Sequence, residues 1–272
     1  MTKRVVFETG WESFFASHQL RVFDDFFNYS QGQTINQNSK RNVIVLELDN
    51  NGQSRRFFMK RFIHPHFKDM VSAFGHFGVL CSQAEVEWRN ANILLQNGIE
   101  TYHPVCYGVH SCFGIEQQSF FMTEQINGPC LLDFLAESWA TLEETQRHHL
   151  VIRLGKLFQR IHGARIALPD SYIWHVYNVK TANTTDESFE LGMIDLHRME
   201  IRTRGYRKAA KDLGGFLFSL PDGFMDDSLR SLFMESYLDN DRISKPNVFR
   251  GLVKRWELKI SNRRRRELAS IE

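Results

Sequence analysis

The sequence predicts an α+β chain in two lobes, a β-rich first half over 1–126 and a helical second half over 127–272. Three observations carry that expectation. Val43-Ile-Val-Leu-Glu-Leu48, the turn Asp49-Asn-Asn-Gly52 and Phe57-Phe-Met-Lys60 read as two strands joined by a hairpin. Leu150, Leu154, Leu157, Phe158 and Ile161 recur at helical spacing and place one apolar stripe on a helix from about 142 to 163. Between the two regimes Asn127-Gly128-Pro129 breaks the pattern and is the expected hinge.

The other elements follow in chain order. Around 83–97 the pattern turns helical, with Val86, Ile93 and Leu94 at helical spacings, and Asn97-Gly98 stops it. Strand-like runs near 104–109 and 119–123 flank a loop containing Gly114. Past the long helix, which His162-Gly163 ends, comes a loop carrying Asp170. A short hairpin is expected over 173–195, with Thr181-Ala-Asn-Thr-Thr-Asp186 as its turn. From 211 onward the chain reads as helical and closes in a basic helix bearing Lys254, Arg255, Lys259 and Arg263–Arg266. The first half is thus expected to hold one helix, and no internal repeat is visible.

Composition narrows the class. With 42% hydrophobic and 24% charged residues the chain reads as a soluble globular protein, and its 23 Phe and 6 Pro argue against long disordered tracts. Cys81, Cys106, Cys112 and Cys130 show no C-x-x-C spacing, which argues against zinc and for reduced thiols in a cytoplasmic chain. The N-terminus lacks an apolar h-region, and no run of eighteen apolar residues exists, so neither a signal peptide nor a membrane span is expected. His64-Pro-His66 and His148-His149 have no further ligands in spacing. The absence of G-x-x-x-x-G-K-[ST], G-x-G-x-x-G and G-x-S-x-G removes P-loop, dinucleotide and serine-hydrolase chemistry. The basic tail would suit nucleic acid by charge, but it shows no interleaved aromatic stacking motif, so no nucleic-acid partner is expected.

The chemistry lies in two short segments, Asp170-Ser-Tyr-Ile-Trp-His175 and Met193-Ile-Asp-Leu-His-Arg198. Phosphoryl transfer needs such a pair of carboxylates, one beside the attacking hydroxyl and one on the magnesium that bridges the phosphates. Asp170 after Pro169 could also be a turn residue, whereas Asp195 ends an apolar strand and needs a partner or a metal. His175 stands five residues after Asp170, where kinase catalytic loops carry Asn, and is a candidate neighbour of the metal or phosphate. Upstream, Lys60 lies on a strand face with Phe58, opposite Phe57 and Met59. It is either the lysine that meets nucleotide phosphates or a solvated edge lysine. A functional lysine needs a carboxylate to hold it, and the helix that follows offers Glu87 or Glu85, which cannot share one face. Arg198, Arg202, Arg204 and Arg207 follow the second aspartate, where guanidinium forks suit an anionic acceptor.

With these parts in order the chain resembles the lipopolysaccharide core kinase family, the WaaP/InaA type with a protein-kinase-like fold, over about 40–266. The segments that carry the resemblance are Phe57-Phe-Met-Lys-Arg61, Ala84-Glu-Val-Glu-Trp-Arg89, Phe120-Phe-Met-Thr-Glu124, the Asp170 loop, and Ile194-Asp-Leu-His-Arg198 followed by Lys211-Asp-Leu213. The resemblance implies ATP and Mg²⁺ bound between two lobes. It gives Lys60 the ATP phosphates, Glu87 the lysine, Glu124 and Ile126 the adenine through a backbone hinge, Asp170 catalysis, and Asp195 with His175 the magnesium. It also implies phosphoryl transfer to an inner-core sugar, a heptose in typical members, at the cytoplasmic face of the inner membrane. One departure stands out: the family usually has His-Arg-Asp, and this chain has Leu168-Pro169-Asp170. The rival expectations are a kinase-like protein acting on another acceptor and an inactive module that only binds nucleotide.

Overall fold

A computed structural model describes residues 1–269 except Asn38, Asn51, His66, 180–188 and 240–242, and except the side chains of Lys68, Ser72 and 266–269. The expected turn at 181–186 lies outside the described residues. The chain divides into two compact units, Met1–Ile93 with Tyr102–Ile126, and Leu94–Thr101 with Asn127–Glu272.

The first unit is built on a six-stranded antiparallel sheet. Its strands are β1 (Thr2–Phe7), β2 (Gln33–Gln37), β3 (Arg41–Asn50), β4 (Gln53–Phe62), β5 (Pro104–Cys112) and β6 (Ile115–Glu124), in the spatial order β1-β5-β6-β4-β3-β2. The β3–β4 hairpin turns on Gly52, whose φ of 86° a side chain would resist, and Asp49 accepts its N–H. Alternation along β4 sends Phe57 and Met59 into a core with Phe15, Phe23, Phe26, Leu46 and Phe120. Phe62, on the opposite face, joins a second core with Ala84, Tyr107 and Phe121.

Four helices accompany this sheet: α1 (Trp11–Ser17), α2 (Phe23–Phe27), α3 (Phe67–Phe77) and α4 (Gln83–Gln96). The expectation of one helix in the first half is therefore corrected. Helices of seven and five residues are marginal by propensity. Here α1 and α2 are held by aromatic packing, with Phe15 and Phe26 fully buried and their rings 5.5 Å apart.

The second unit is mostly helical, with α5 (Leu131–Ser138), α6 (Glu144–Gly163), α7 (Arg207–Phe218), α8 (Asp227–Leu238) and α9 (Pro246–Ala269). A two-stranded hairpin, β7 (Val176–Val179) and β8 (Glu190–Met193), sits beside them. The apolar stripe of α6 is buried at Leu150, Leu154, Leu157, Phe158 and Ile161, as the periodicity required. Residues 94–101, expected with the first half, belong here. Met193 N donates to Glu100 O and Thr101 Oγ1 donates to Met193 O, which ties that segment to β8.

Close approach fixes α9 against α7. A Cβ on Gly214 would lie 2.7 Å from Trp256 Cβ and 2.9 Å from Glu257 N, so only glycine lets the two helices meet. Phe249 and Val253 are buried, and Arg230 on α8 holds Glu257 on α9 through a 2.9 Å ion pair. The C-terminal helix is therefore a fixed wall of this unit rather than a loose tail.

Candidate active site

In the first unit, the alternation of β4 decides which basic side chain reaches what. Arg61 points to the side where its guanidinium caps α2, donating to Phe26 O at 3.2 Å and to Tyr29 O at 2.5 Å. Burial pushes its pKa down to about 10. Lys60 points the other way and meets Glu87 on α4, Nζ to Oε1 at 2.5 Å. Both ends of this pair are mostly buried, with side chains 16% and 4% exposed, so Lys60 is no solvated edge residue. Glu85 is engaged elsewhere, accepting from Arg4 at 3.0 Å and from Arg89 at 2.8 Å. The choice between the two glutamates is thus settled geometrically in favour of Glu87.

At the end of β6 the backbone is held open. Glu124 N donates to His103 O and Gln125 N to Arg56 O, while the Glu124 carboxylate pairs with Arg55 at 2.6 Å. No described backbone carbonyl accepts the Ile126 N–H, which leaves it a main-chain donor.

In the second unit, the Asp170 loop, the turn before β7 and the end of β8 converge. Asp195 leaves β8 with φ 61° and ψ 62°, a left-handed conformation costing a non-glycine residue about 1 kcal/mol. It turns the chain into the short helical turn Leu196–Arg198. Its Oδ1 lies 2.8 Å from His197 Nδ1, and its Oδ2 lies 3.6 Å from His175 Nε2. His175 Nδ1 is 2.7 Å from Asp170 O, and a carbonyl can only accept, so the ring proton sits on Nδ1. In the neutral ring, Nε2 then turns a lone pair toward the Asp195 carboxylate. Two acceptors facing each other at 3.6 Å call for a cation or a second proton between them. The Asp195 carboxylate fits magnesium, which takes oxygen ligands and completes its shell with phosphate oxygens and water, whereas the His175 nitrogen is a softer ligand than magnesium prefers and suits a neighbour of the metal or phosphate. No cluster of three His, Cys, Asp or Glu ligands occurs among the described residues.

Asp170 itself is 14% exposed and accepts from Arg198 Nη1 at 3.0 Å. What replaces the missing His-Arg support is a residue that sequence reasoning quoted but gave no role. Asp212 on α7 is 1% exposed, and its Oδ2 accepts from Leu168 N at 2.7 Å and lies 3.4 Å from His162 Nε2. Its backbone carbonyl accepts from Ser171 Oγ at 3.0 Å. The loop on both sides of Asp170 is pinned to α7 in this way. The signal was present in the sequence: Asp212 falls within the apolar stripe of Ala209, Leu213 and Phe216.

Arg202 and Arg204 are not brought to Asp170. After Arg198 the chain doubles back, with Glu200 N donating to Ala167 O and Thr203 N to Arg165 O. Arg202 takes φ 54° and is exposed, and Arg204 lines a different recess with Gln159, His162 and Arg165. Of Arg198, Arg202 and Arg204, only Arg198 stands beside the carboxylate. Cys81 and Cys106 are buried, and burial pushes the Cys81 thiol up to about 11 and the Cys106 thiol well above its ordinary value, so neither is a ready nucleophile.

The sequence profile of the Lipopolysaccharide kinase (Kdo/WaaP) family matches residues 25–237. The chain belongs to that family. It is accordingly an ATP-dependent phosphotransferase with a two-lobed, protein-kinase-like fold. A curated Escherichia coli protein, lipopolysaccharide core heptose(I) kinase WaaP, is 26% identical over 70% of this chain and 71% of its own length. The Pseudomonas aeruginosa protein of the same name is 26% identical over 57% of this chain and 59% of its own. Among solved structures, a WaaP in complex with acyl carrier protein is 22% identical and covers 95% of this chain and 98% of that one, with a TM-score of 0.73. That likeness supports the fold.

Proposed function

We propose that this kinase transfers the γ-phosphoryl group of ATP to a hydroxyl of a lipopolysaccharide inner-core sugar, with heptose as the acceptor that its curated relatives favour. The observation that carries the reading is the grouping of Asp170, His175 and Asp195 in one place, in a chain of this family. Asp170 accepts the proton of the attacking hydroxyl, and Arg198 and the Asp212 anchor keep its carboxylate aimed. Lys60, held by Glu87, takes the nucleotide phosphates. The backbone of Glu124 and Ile126 holds the adenine, the Ile126 N–H donating to a ring nitrogen. Asp195 would hold Mg²⁺, with His175 beside it orienting the carboxylate, and the metal when bound would neutralise charge on the transferring phosphates.

A lipid-borne acceptor puts the reaction at a membrane surface, and we assign the protein a peripheral place on its cytoplasmic side. No described helix is long and apolar enough to cross a membrane. The test is phosphate analysis of core oligosaccharide from a strain lacking the gene. The core should lose phosphate, regain it with the wild-type gene and stay deficient with Asp170→Asn. An unchanged core in the deletion strain would refute the proposal.

A further inference from the structure

Asp170 opens onto a recess of about 820 Å³, within the usual range of roughly 300–1,000 Å³ for small-molecule sites. One side is formed by Pro169, Asp170, Tyr172 and Arg198, and the other by Lys211 and one face of α9. Six of its fourteen lining residues are Lys or Arg, and Asp170 is its one acid, so the recess holds a strong positive field around a single carboxylate. Lys254 and Lys259 have no carboxylate partner among the described residues. Lys259 Nζ lies 4.6 Å and Lys211 Nζ 6.0 Å from the centre of the Trp256 ring, which is half-buried in the same wall.

An exposed basic helix face alone would mean little. This face is different because Gly214, Val253 and the Arg230–Glu257 pair lock α9 in place, with its cations lining the same recess as Asp170. We propose that α9 forms the acceptor subsite, and that it selects a saccharide bearing at least two anionic groups near the hydroxyl to be phosphorylated. Lys254 and Lys259 take the anionic groups, and the face of Trp256 takes a sugar ring. The role expected for Arg202 and Arg204 passes to α9. This rests on the kinase reading above, because only a reaction at Asp170 makes the recess an acceptor site.

The experiment uses the full chain and core oligosaccharide purified from a strain lacking the enzyme, either native or with its carboxylates converted to methyl esters. KM for saccharide and KM for ATP are measured for wild type and for the double variant Lys254→Gln/Lys259→Gln. The proposal expects the variant's KM for native saccharide to rise roughly tenfold or more, with KM for ATP unchanged. It also expects wild type and variant to handle the esterified saccharide alike, since the charges that the lysines recognise are gone. An unchanged KM for native saccharide overturns the subsite while leaving the kinase assignment intact. An equal rise for native and esterified saccharide also overturns it, since the lysines would then act on folding rather than on charge. No transfer by wild type to either saccharide overturns the kinase reading itself, and the subsite with it.

Discussion

The two units carry the proposed catalytic residues on opposite principles. In the first unit Lys60 and Glu87 form a closed pair at 2.5 Å, mostly buried, each satisfying the other. In the second unit Asp170 is met by the exposed Arg198, and Asp195 by histidines rather than by a fixed cation. Asp195 sits in a left-handed backbone conformation with 29% of its side chain exposed, and faces the lone pair of His175. A buried pair that is already neutralised can hold its geometry without a ligand. A carboxylate met by histidine nitrogens and 29% exposed leaves room for a bound cation. On the proposed function, the contrast separates residues that position from residues that react.

The sharpest way to break that contrast is to remove the open carboxylates one at a time. Asp195→Ala should abolish magnesium-dependent turnover and weaken magnesium-dependent ATP binding. Asp170→Asn should retain nucleotide binding while transfer falls by roughly 10²–10⁴-fold. Equilibrium nucleotide binding and single-turnover transfer, measured on both variants, separate the two roles. Equal loss of ATP binding in both would erase the distinction.

Next in size is the closed pair. Glu87→Ala strands a buried ammonium and should cost about 3–5 kcal/mol of stability in chemical denaturation, with KM for ATP raised. Glu85→Ala, whose partners Arg4 and Arg89 are more exposed, should cost about 1 kcal/mol or less and leave KM for ATP alone. Similar kinetic effects from the two variants would remove the special standing of Glu87.

A third test concerns how α4, which carries Glu87, is started. Glu116 accepts from Gln83 N at 3.0 Å, and burial pushes its pKa up from 4.5 to about 7. Between those values the folded chain binds a proton that the unfolded chain has lost. The stability from Glu116 is therefore fully present below about 4.5 and is lost as pH rises to about 7. Glu116→Gln keeps an acceptor for Gln83 without the charge. It should flatten this decline and stabilise the protein above neutral pH by on the order of 3 kcal/mol. Denaturation midpoints measured from about pH 4 to about pH 8 provide the check, and parallel curves for wild type and variant would contradict it.

A more modest effect than at Glu87 or Glu116 is expected at the loop anchor. Asp212→Ala orphans the Leu168 N–H and should lower stability by about 1–3 kcal/mol, while slowing transfer more than it weakens ATP binding. A loss of stability with transfer untouched would make Asp212 a core residue and no part of the support of Asp170.

What could be read in the sequence follows from whether a residue's surroundings are local. The long helix α6, the β3–β4 hairpin and both aspartates show themselves in spacing, because a stripe, a turn and a carboxylate after an apolar run are all local signals. β1 and β2 are edge strands with exposed outer residues, so no period-2 alternation marks them. α1 and α2 exist through the aromatic contacts of Phe15 and Phe26, which join residues far apart in the chain. Spacing put Arg198, Arg202 and Arg204 together, but the backward turn through Glu200 and Thr203 parts them. It also gave no hint that α9, which begins at Pro246, lies across from Asp170.

The central claim is that the open carboxylate at Asp170 serves a sugar hydroxyl of lipopolysaccharide core. The most direct measurement is transfer of label from γ-labelled ATP to purified core acceptor, run beside a generic protein substrate such as casein, with wild type and Asp170→Asn in parallel. The account predicts label on the core from wild type, none from Asp170→Asn, and none on casein. Label on casein but not on the core, or undiminished label from Asp170→Asn, would contradict it.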